Sequence, residues 1–155
     1  NQLGIGAVKY ADLSLDRRND YVFDWQRLLS FDGNTAPYLQ YAFVRIQSLL
    51  DKAGSFTTSL ENVALLKSDI EFSVVKKLAE FPLVIQRASE RMEPHHIAAY
   101  LFGLSQVFTQ FYDTVPILKS DNSLERSARL GLSQQVARII SLGLQLLGIE
   151  SPRRM

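Results

Sequence analysis

Tyr38, Tyr41 and Arg45 recur at steps of three and four within "GNTAPYLQYAFVRIQSLLDKAG", residues 33–54, and Lys52 continues their line. On an α-helix these positions share one flank, rotated about 100° from a neighbouring apolar stripe. Two phenol rings and a guanidinium side by side offer flat π surfaces, a polar tip on each ring, and a cation that stacks on aromatics and pairs with phosphate. Unpaired RNA bases call for those groups: something flat to lie on and a positive charge nearby. The same side chains also suit packing and snorkelling beside a core, and the pattern by itself leaves both uses open.

No other constellation offers chemistry. His95 and His96 are the only histidines. Adjacent helical positions point about 100° apart, so the pair reads as two surface residues and as poor joint metal ligands. Glu90 and Glu93 straddle a break at Pro94 and make no acid–base pair. Serines are plentiful, without a nucleophile elbow. The "GIG" at residues 4–6 lacks the remaining glycine spacing of a dinucleotide loop. With no cysteine, disulfides and thiolate zinc sites are excluded. The chain is therefore expected to hold no catalytic residue, cofactor or metal.

The elements that must carry the Tyr–Tyr–Arg flank are helices. The 155 residues fit one domain, and 46% hydrophobic residues rule against disorder. A formal net charge of +1 neither announces a nucleic-acid partner nor excludes one. Pro37 suits a first helical turn, and Leu39, Ala42, Ile46, Leu49 and Ala53 form the inward stripe beside the flank. Ile97, Leu101, Leu104, Phe108, Phe111 and Val115 form another, on a helix opened by Pro94 and stopped by Pro116. Ser123 reads as the cap of a last long helix with Ala128, Leu132, Val136, Ile139, Ile140 and Leu147 inside and Gly148 at its end. Between them, "SLENVALL", "SDIEFSVVKKLAEF" and "PLVIQRASERM" read as three shorter helical pieces starting at Ser59, at Ser68 or Asp69, and at Pro82, with Val74, Val75, Leu78 and Phe81 spaced for burial. "SFDGNTAP" is a turn-rich connector. "RRNDYVFDW" is compatible with a short extended piece, and Trp25, the sole tryptophan, is expected to anchor it on the bundle. The sum predicts an all-α domain, an antiparallel bundle of about four or five helices. No apolar run approaches the roughly 20 residues of a membrane span, and no signal-peptide pattern appears. The absence of an initiator Met points to a piece of a larger, cytosolic protein.

Several long blocks, in order, carry a family resemblance. "LGIGAVKYADLSLDRRNDYVFDWQRLLSFDGNTAPYLQYAFVRIQSLL", "PHHIAAYLFGLSQVFTQFYDTVPIL" and "RSARLGLSQQVARIISLGLQLLGIESPRRM" closely resemble the C-terminal part of class I arginyl-tRNA synthetases, down to the terminal Met155. Residues 55–91 are generic helix and add little. The resemblance implies a helical anticodon-binding domain of the DALR type over residues 34–155, with 1–33 as the linker from the catalytic side. It implies a parent enzyme that activates arginine with ATP and joins it to tRNA-Arg. The "HIGH" and "KMSKS" motifs of that chemistry are absent, so this fragment is expected to bind RNA and catalyse nothing.

Position by position, the resemblance places Tyr38, Tyr41 and Arg45 near the anticodon loop and adds Tyr112, from "FTQFYD", as another aromatic of that region. Met155 matches a terminal Met that reaches the same loop through its carboxylate or its side chain. One basic position of the family is Asp51 here, which puts a backbone contact in doubt, with Lys52 as a neighbouring substitute. Asn34 is assigned first to turn geometry. The closing stretch, residues 124–155, sets Arg126, Arg129, Arg138, Arg153 and Arg154 against Glu125 and Glu150, a surplus that suits a phosphate backbone or, equally, an ordinary solvated helix. The expected partner is the anticodon loop of tRNA-Arg, with no DNA or membrane partner, for a cytoplasmic monomer. The competing reading is a helical interaction or oligomerisation bundle that touches only protein.

Overall fold

The computed structural model describes residues 2–20 and 24–152. Its regular elements are α1 (Gln2–Leu13), α2 (Trp25–Leu28), α3 (Ala36–Ala53), a 3-10 turn (Leu60–Leu65), α4 (Asp69–Arg91), α5 (His95–Thr114) and α6 (Ser123–Leu146). No strand occurs among the described residues, in agreement with the all-α expectation. None of the described helices is long and apolar enough to cross a membrane.

Local chemistry sets the boundaries. Thr35 caps α3: its backbone is extended and its Oγ1 accepts from Tyr38 N, while Gly54 closes the helix at φ 67°. Ser68 and Glu71 form a reciprocal capping box on α4. Asn122, not the expected Ser123, caps α6, its Oδ1 accepting from Leu124 N at 2.9 Å and Glu125 N at 3.3 Å. Asparagine holds the carbonyl that two orphan amides require, so the boundary falls one residue earlier. α5 closes at its C-cap Val115, ahead of Pro116, as its sequence dictates.

Pro82 reads in the sequence as the start of a separate helix, but it lies inside a continuous α4. A proline within a helix removes one backbone hydrogen bond and costs about 3 kcal/mol. Tertiary packing offsets that cost. Val74, Phe81 and Ala88 recur every seven residues, and all three are buried on the side facing the core. Trp25, expected to anchor the linker on the bundle, is 59% exposed and opens α2, so most of its surface stays outside the core. The extended piece expected over residues 17–25 lies partly outside the described residues; within them, residues 17–19 form a turn.

α4 and α5 make an antiparallel hairpin through a tight turn at Met92, whose φ of 52° is left-handed. α6 lies against α3, α4 and α5, and α1 packs on α3 and α5. The stripes read from periodicity are the core: Leu39, Ile46, Leu101, Leu104, Phe111, Val136 and Ile140 are each completely buried. α1 contributes Tyr10, 1% exposed. Its hydroxyl lies 2.6 Å from Asn34 Oδ1 and 3.0 Å from Ala98 O, one proton between two acceptors. Asn34 thus does more than shape a turn. It ties the entry to α3 to the first helix.

One ion pair crosses this core. Glu71 is 1% exposed. Its Oε2 accepts from Lys67 N at 2.9 Å and Ser68 N at 2.8 Å, and its Oε1 from Arg129 Nε at 2.7 Å. Burial works to raise the Glu71 pKa; the amides of Ser68 and Lys67 and the Arg129 guanidinium outweigh it and hold the carboxyl below the ordinary glutamate value. A depressed folded pKa contributes stability that is complete above the unfolded value of about 4.3 and fades as pH falls through the folded one. Urea denaturation is therefore expected to show stability falling below about pH 4.3, with Glu71→Gln flattening that slope. Arg129→Ala, which leaves the buried carboxylate without its cation, is expected to cost about 3 kcal/mol at pH 7.

Candidate nucleic-acid interface

The apolar stripe of α3 fixes the rotation of that helix, and the rotation decides where its second stripe points. Leu39, Ile46 and Leu49 are buried at 0–4% exposure, whereas Tyr41, on the flank, is 50% exposed. Tyr38 and Arg45 are half-buried. The flank is therefore a boundary, with apolar ring bodies resting on the bundle and polar edges towards solvent.

Tyr38, Tyr41 and Arg45 each have a partner from another segment. Tyr41 meets Phe31 edge-on, ring centroids 6.3 Å apart and planes at 80°. Phe31 comes from the loop before α3 and is 52% exposed. Tyr38 meets Phe102 of α5 in the same manner, at 5.4 Å and 62°. The Arg45 guanidinium lies over the Tyr112 ring, its Cζ 4.0 Å from the centroid, and its Nη2 donates to Asp113 Oδ1 at 2.9 Å. Tyr112 in turn lies 6.2 Å from Phe108, which is 2% exposed and roots the ring in the core. Tyr38 beside Phe102 and Arg45 beside Tyr112 place α3 and α5 in the same direction along this surface, so their aromatics extend one row.

Of the residues singled out from sequence, Tyr38, Tyr41, Arg45 and Tyr112 thus share one surface. Met155 lies outside the described residues, as do Arg153 and Arg154. The segment that leads towards them is held against α1 and α3: Lys9 Nζ donates to Gly148 O at 2.6 Å and Gln40 Nε2 to Glu150 O at 2.8 Å, with Ile149 2% exposed. Gln40 is the residue before Tyr41, so this segment passes along the adjoining face of α3.

The basic stretch is not one phosphate-facing cluster. Arg129 turns inward to Glu71, Arg126 is half-buried and donates to Ala53 O at 3.4 Å, and among the described arginines of that stretch Arg138 alone is exposed. Asp51 and Lys52 are both exposed at the end of α3.

His95 and His96 do not diverge as an ideal helix requires. His95 is the first residue of α5, and the two rings lie 4.3 Å apart. His96 Nε2 is 2.9 Å from Glu93 Oε2, and Arg18 Nη2 is 3.1 Å from Glu93 Oε1. One ligand atom from each of Glu93, His95 and His96 falls within 4.8 Å of the others. Arg18 and His96 already occupy the carboxylate, however, and Arg17 Nη1 donates to Met92 O at 2.9 Å nearby. The group clasps the segment after α1 to the α4–α5 turn.

Sequence reasoning missed Phe31, Phe102 and Asp113. Phe31 sits in an aperiodic loop. Phe102 is one position off a buried stripe, and Asp113 is visible only as the neighbour of Tyr112 in "FYD".

A helical bundle with one open aromatic and cationic flank fits the class of modules that bind unpaired bases. The family relationship is more specific: the model of the DALR anticodon binding domain matches residues 39–155, and the chain belongs to that family. It is 47% identical over 155 residues to the arginine–tRNA ligase of Cellvibrio japonicus and 48% identical over 152 residues to that of Frankia casuarinae. These alignments cover 99% and 98% of this chain but only 27% and 26% of the relatives, so the chain spans about a quarter of their length. Among solved structures, Thermus thermophilus arginyl-tRNA synthetase superposes with a TM-score of 0.91 at 30% identity, over 99% of this chain and 27% of that one. Arginyl-tRNA synthetase from Plasmodium falciparum superposes at 0.83 with 27% identity, over the same shares.

The burial pattern separates the two tyrosines energetically. Tyr41→Ala is expected to change stability by less than about 0.5 kcal/mol, as exposed side chains do. Tyr38→Ala, which removes a half-buried ring and its contact with Phe102, is expected to cost about 2 kcal/mol. Urea titrations of the two variants check the difference; equal losses would place Tyr41 in the core.

Proposed function

We propose that this chain is the anticodon-loop-binding module of an arginine–tRNA ligase, and that its ligand is the anticodon loop of tRNA-Arg. The observation that carries the reading is the flank of α3, where Phe31 and Tyr41 are exposed beside the half-buried Arg45–Tyr112 pair, on a chain of the DALR family. Splayed loop bases lie on these rings, and Arg45 meets a base edge or plane. Met155, outside the described residues, is assigned to the same loop by the family resemblance alone. Residues 1–33 join the module to the catalytic side of a longer, cytoplasmic and monomeric protein, in which arginine and ATP are handled upstream. This chain alone binds RNA and transfers nothing.

Fluorescence anisotropy with a labelled tRNA-Arg anticodon stem–loop tests the reading. The wild-type chain is expected to bind it, more weakly as salt rises and more weakly again when the anticodon is changed. Tyr41→Ala, Phe31→Ala and Arg45→Ala are each expected to lower affinity about tenfold, the scale of one lost stacking interaction, with circular dichroism unchanged. A chain that ignores the hairpin and instead dimerises with concentration would favour a protein-binding role. Arginine-dependent ATP–pyrophosphate exchange by the chain alone would overturn its non-catalytic assignment.

A further inference from the structure

Arg45 is doubly engaged before any RNA arrives. Its Cζ lies 4.0 Å from the centroid of the Tyr112 ring, and its Nη2 lies 2.9 Å from the Asp113 carboxylate. The two partners are consecutive on the last turn of α5. A guanidinium held over a ring and hydrogen-bonded to a carboxylate has lost rotamer freedom, and its charge is matched by that adjacent carboxylate. Asp113 is not a buried structural group: its side chain is 56% exposed, against 32% for Arg45.

We propose that Asp113 is the specificity-determining residue of this surface, resting on the RNA-binding reading above: it positions Arg45 over Tyr112 while cancelling its charge, so that the flank accepts uncharged base faces and penalises a bare phosphate backbone. An unpaired base gains the ring and guanidinium planes without meeting net charge. A phosphate drawn to Arg45 must displace Asp113 or lie beside it, and like charges brought together oppose binding. The wrong ligand, any strand that offers backbone but no well-placed bases, is thereby rejected more strongly than the right one. The module's formal charge of only +1 fits a surface that selects by stacking more than by bulk attraction.

Asp113→Asn is the informative variant. Asparagine keeps one oxygen that can accept from Arg45, removes the charge, and replaces the second oxygen by an amide nitrogen. Affinities for the tRNA-Arg anticodon stem–loop and for the same stem with a scrambled loop are measured by anisotropy across a salt series. For Asp113→Asn the scrambled hairpin is expected to bind several-fold tighter than it does to wild type, while the cognate hairpin changes little, so discrimination shrinks. The slope of log affinity against log salt is expected to steepen by roughly 0.7–0.9, the amount that neutralising one more phosphate brings. Asp113→Glu, which restores the charge, is expected to restore discrimination. Arg45→Ala with Asp113→Asn is expected to show a shallower salt slope than Asp113→Asn alone, because the added phosphate contact is made by Arg45. Unchanged discrimination and slope in Asp113→Asn, with wild type still preferring the cognate hairpin, would overturn this proposal and leave the binding reading intact. Equal weakening of both hairpins would reduce Asp113 to structural support and overturn it too. A wild type that binds neither hairpin would overturn both.

Discussion

The rotation of α3 about its own axis is the constraint on which the rest of the structure depends. Leu39, Ile46 and Leu49 must face inward, against α6 and α5, and burying such side chains is worth about 1.5–3 kcal/mol each. A turn of one residue, about 100°, would expose that stripe and submerge the tyrosines. The flank is open because the neighbouring face is closed. Its caps set the same phase from the ends: Thr35 fixes where the helix begins, and the Tyr10–Asn34 bond ties that beginning to α1.

The surface spans two helices, so its geometry also depends on how α5 is held. α5 is paired along its length with α4, and α4 is bound to α6 through Glu71 and Arg129. A buried ion pair is costly to assemble and worse to break, which makes it a poor source of net stability but a strict selector of arrangement. Here one carboxylate caps α4 with one oxygen and receives α6 with the other. The register of α6 against α4 is thereby set by one residue. The aromatic row inherits that precision through Phe108, Tyr112 and Phe102.

Periodicity made the helices and their inner faces legible, because a 3.6-residue repeat of Leu, Ile and Phe marks the buried face of a helix and little else. It failed where tertiary packing overrode local preference. Pro82 reads as a boundary because a lone helix would break there; Phe81 and Ala88, pinned in the core, carry α4 through it. Trp25 reads as an anchor because large rings are usually buried, yet it opens a four-residue helix with no buried residue. His95 and His96 read as divergent because neighbours on an ideal helix point about 100° apart, a spacing that the first turn of α5 does not keep. For the candidate surface, the wheel found the three α3 residues that share a helix, and the family resemblance supplied Tyr112. Phe31 and Phe102 were invisible because what recruits them is the meeting of separate segments, which has no signature in local spacing. The arginines after residue 124 show the opposite error: counted as charge they form a cluster, but Arg129 is spent inside the protein.

Charge counting fails at the surface for the same reason. Taken singly, Arg45 is a cation on an aromatic flank, the expected mark of a phosphate contact. With Asp113 beside it and Tyr112 beneath, it is closer to a polarised plane, an extension of the aromatic row with donor groups at its rim. A neutral stacking row gains little from the long-range attraction that all RNA exerts on basic proteins, so it forgoes affinity for any strand that passes. What it gains is dependence on bases presented face-on, as in a loop whose bases have left their stack and unlike a duplex whose bases are sheathed by phosphate. A helix flank that sorts RNA by conformation needs few charges, and a chain with nearly balanced charge is then no argument against an RNA ligand.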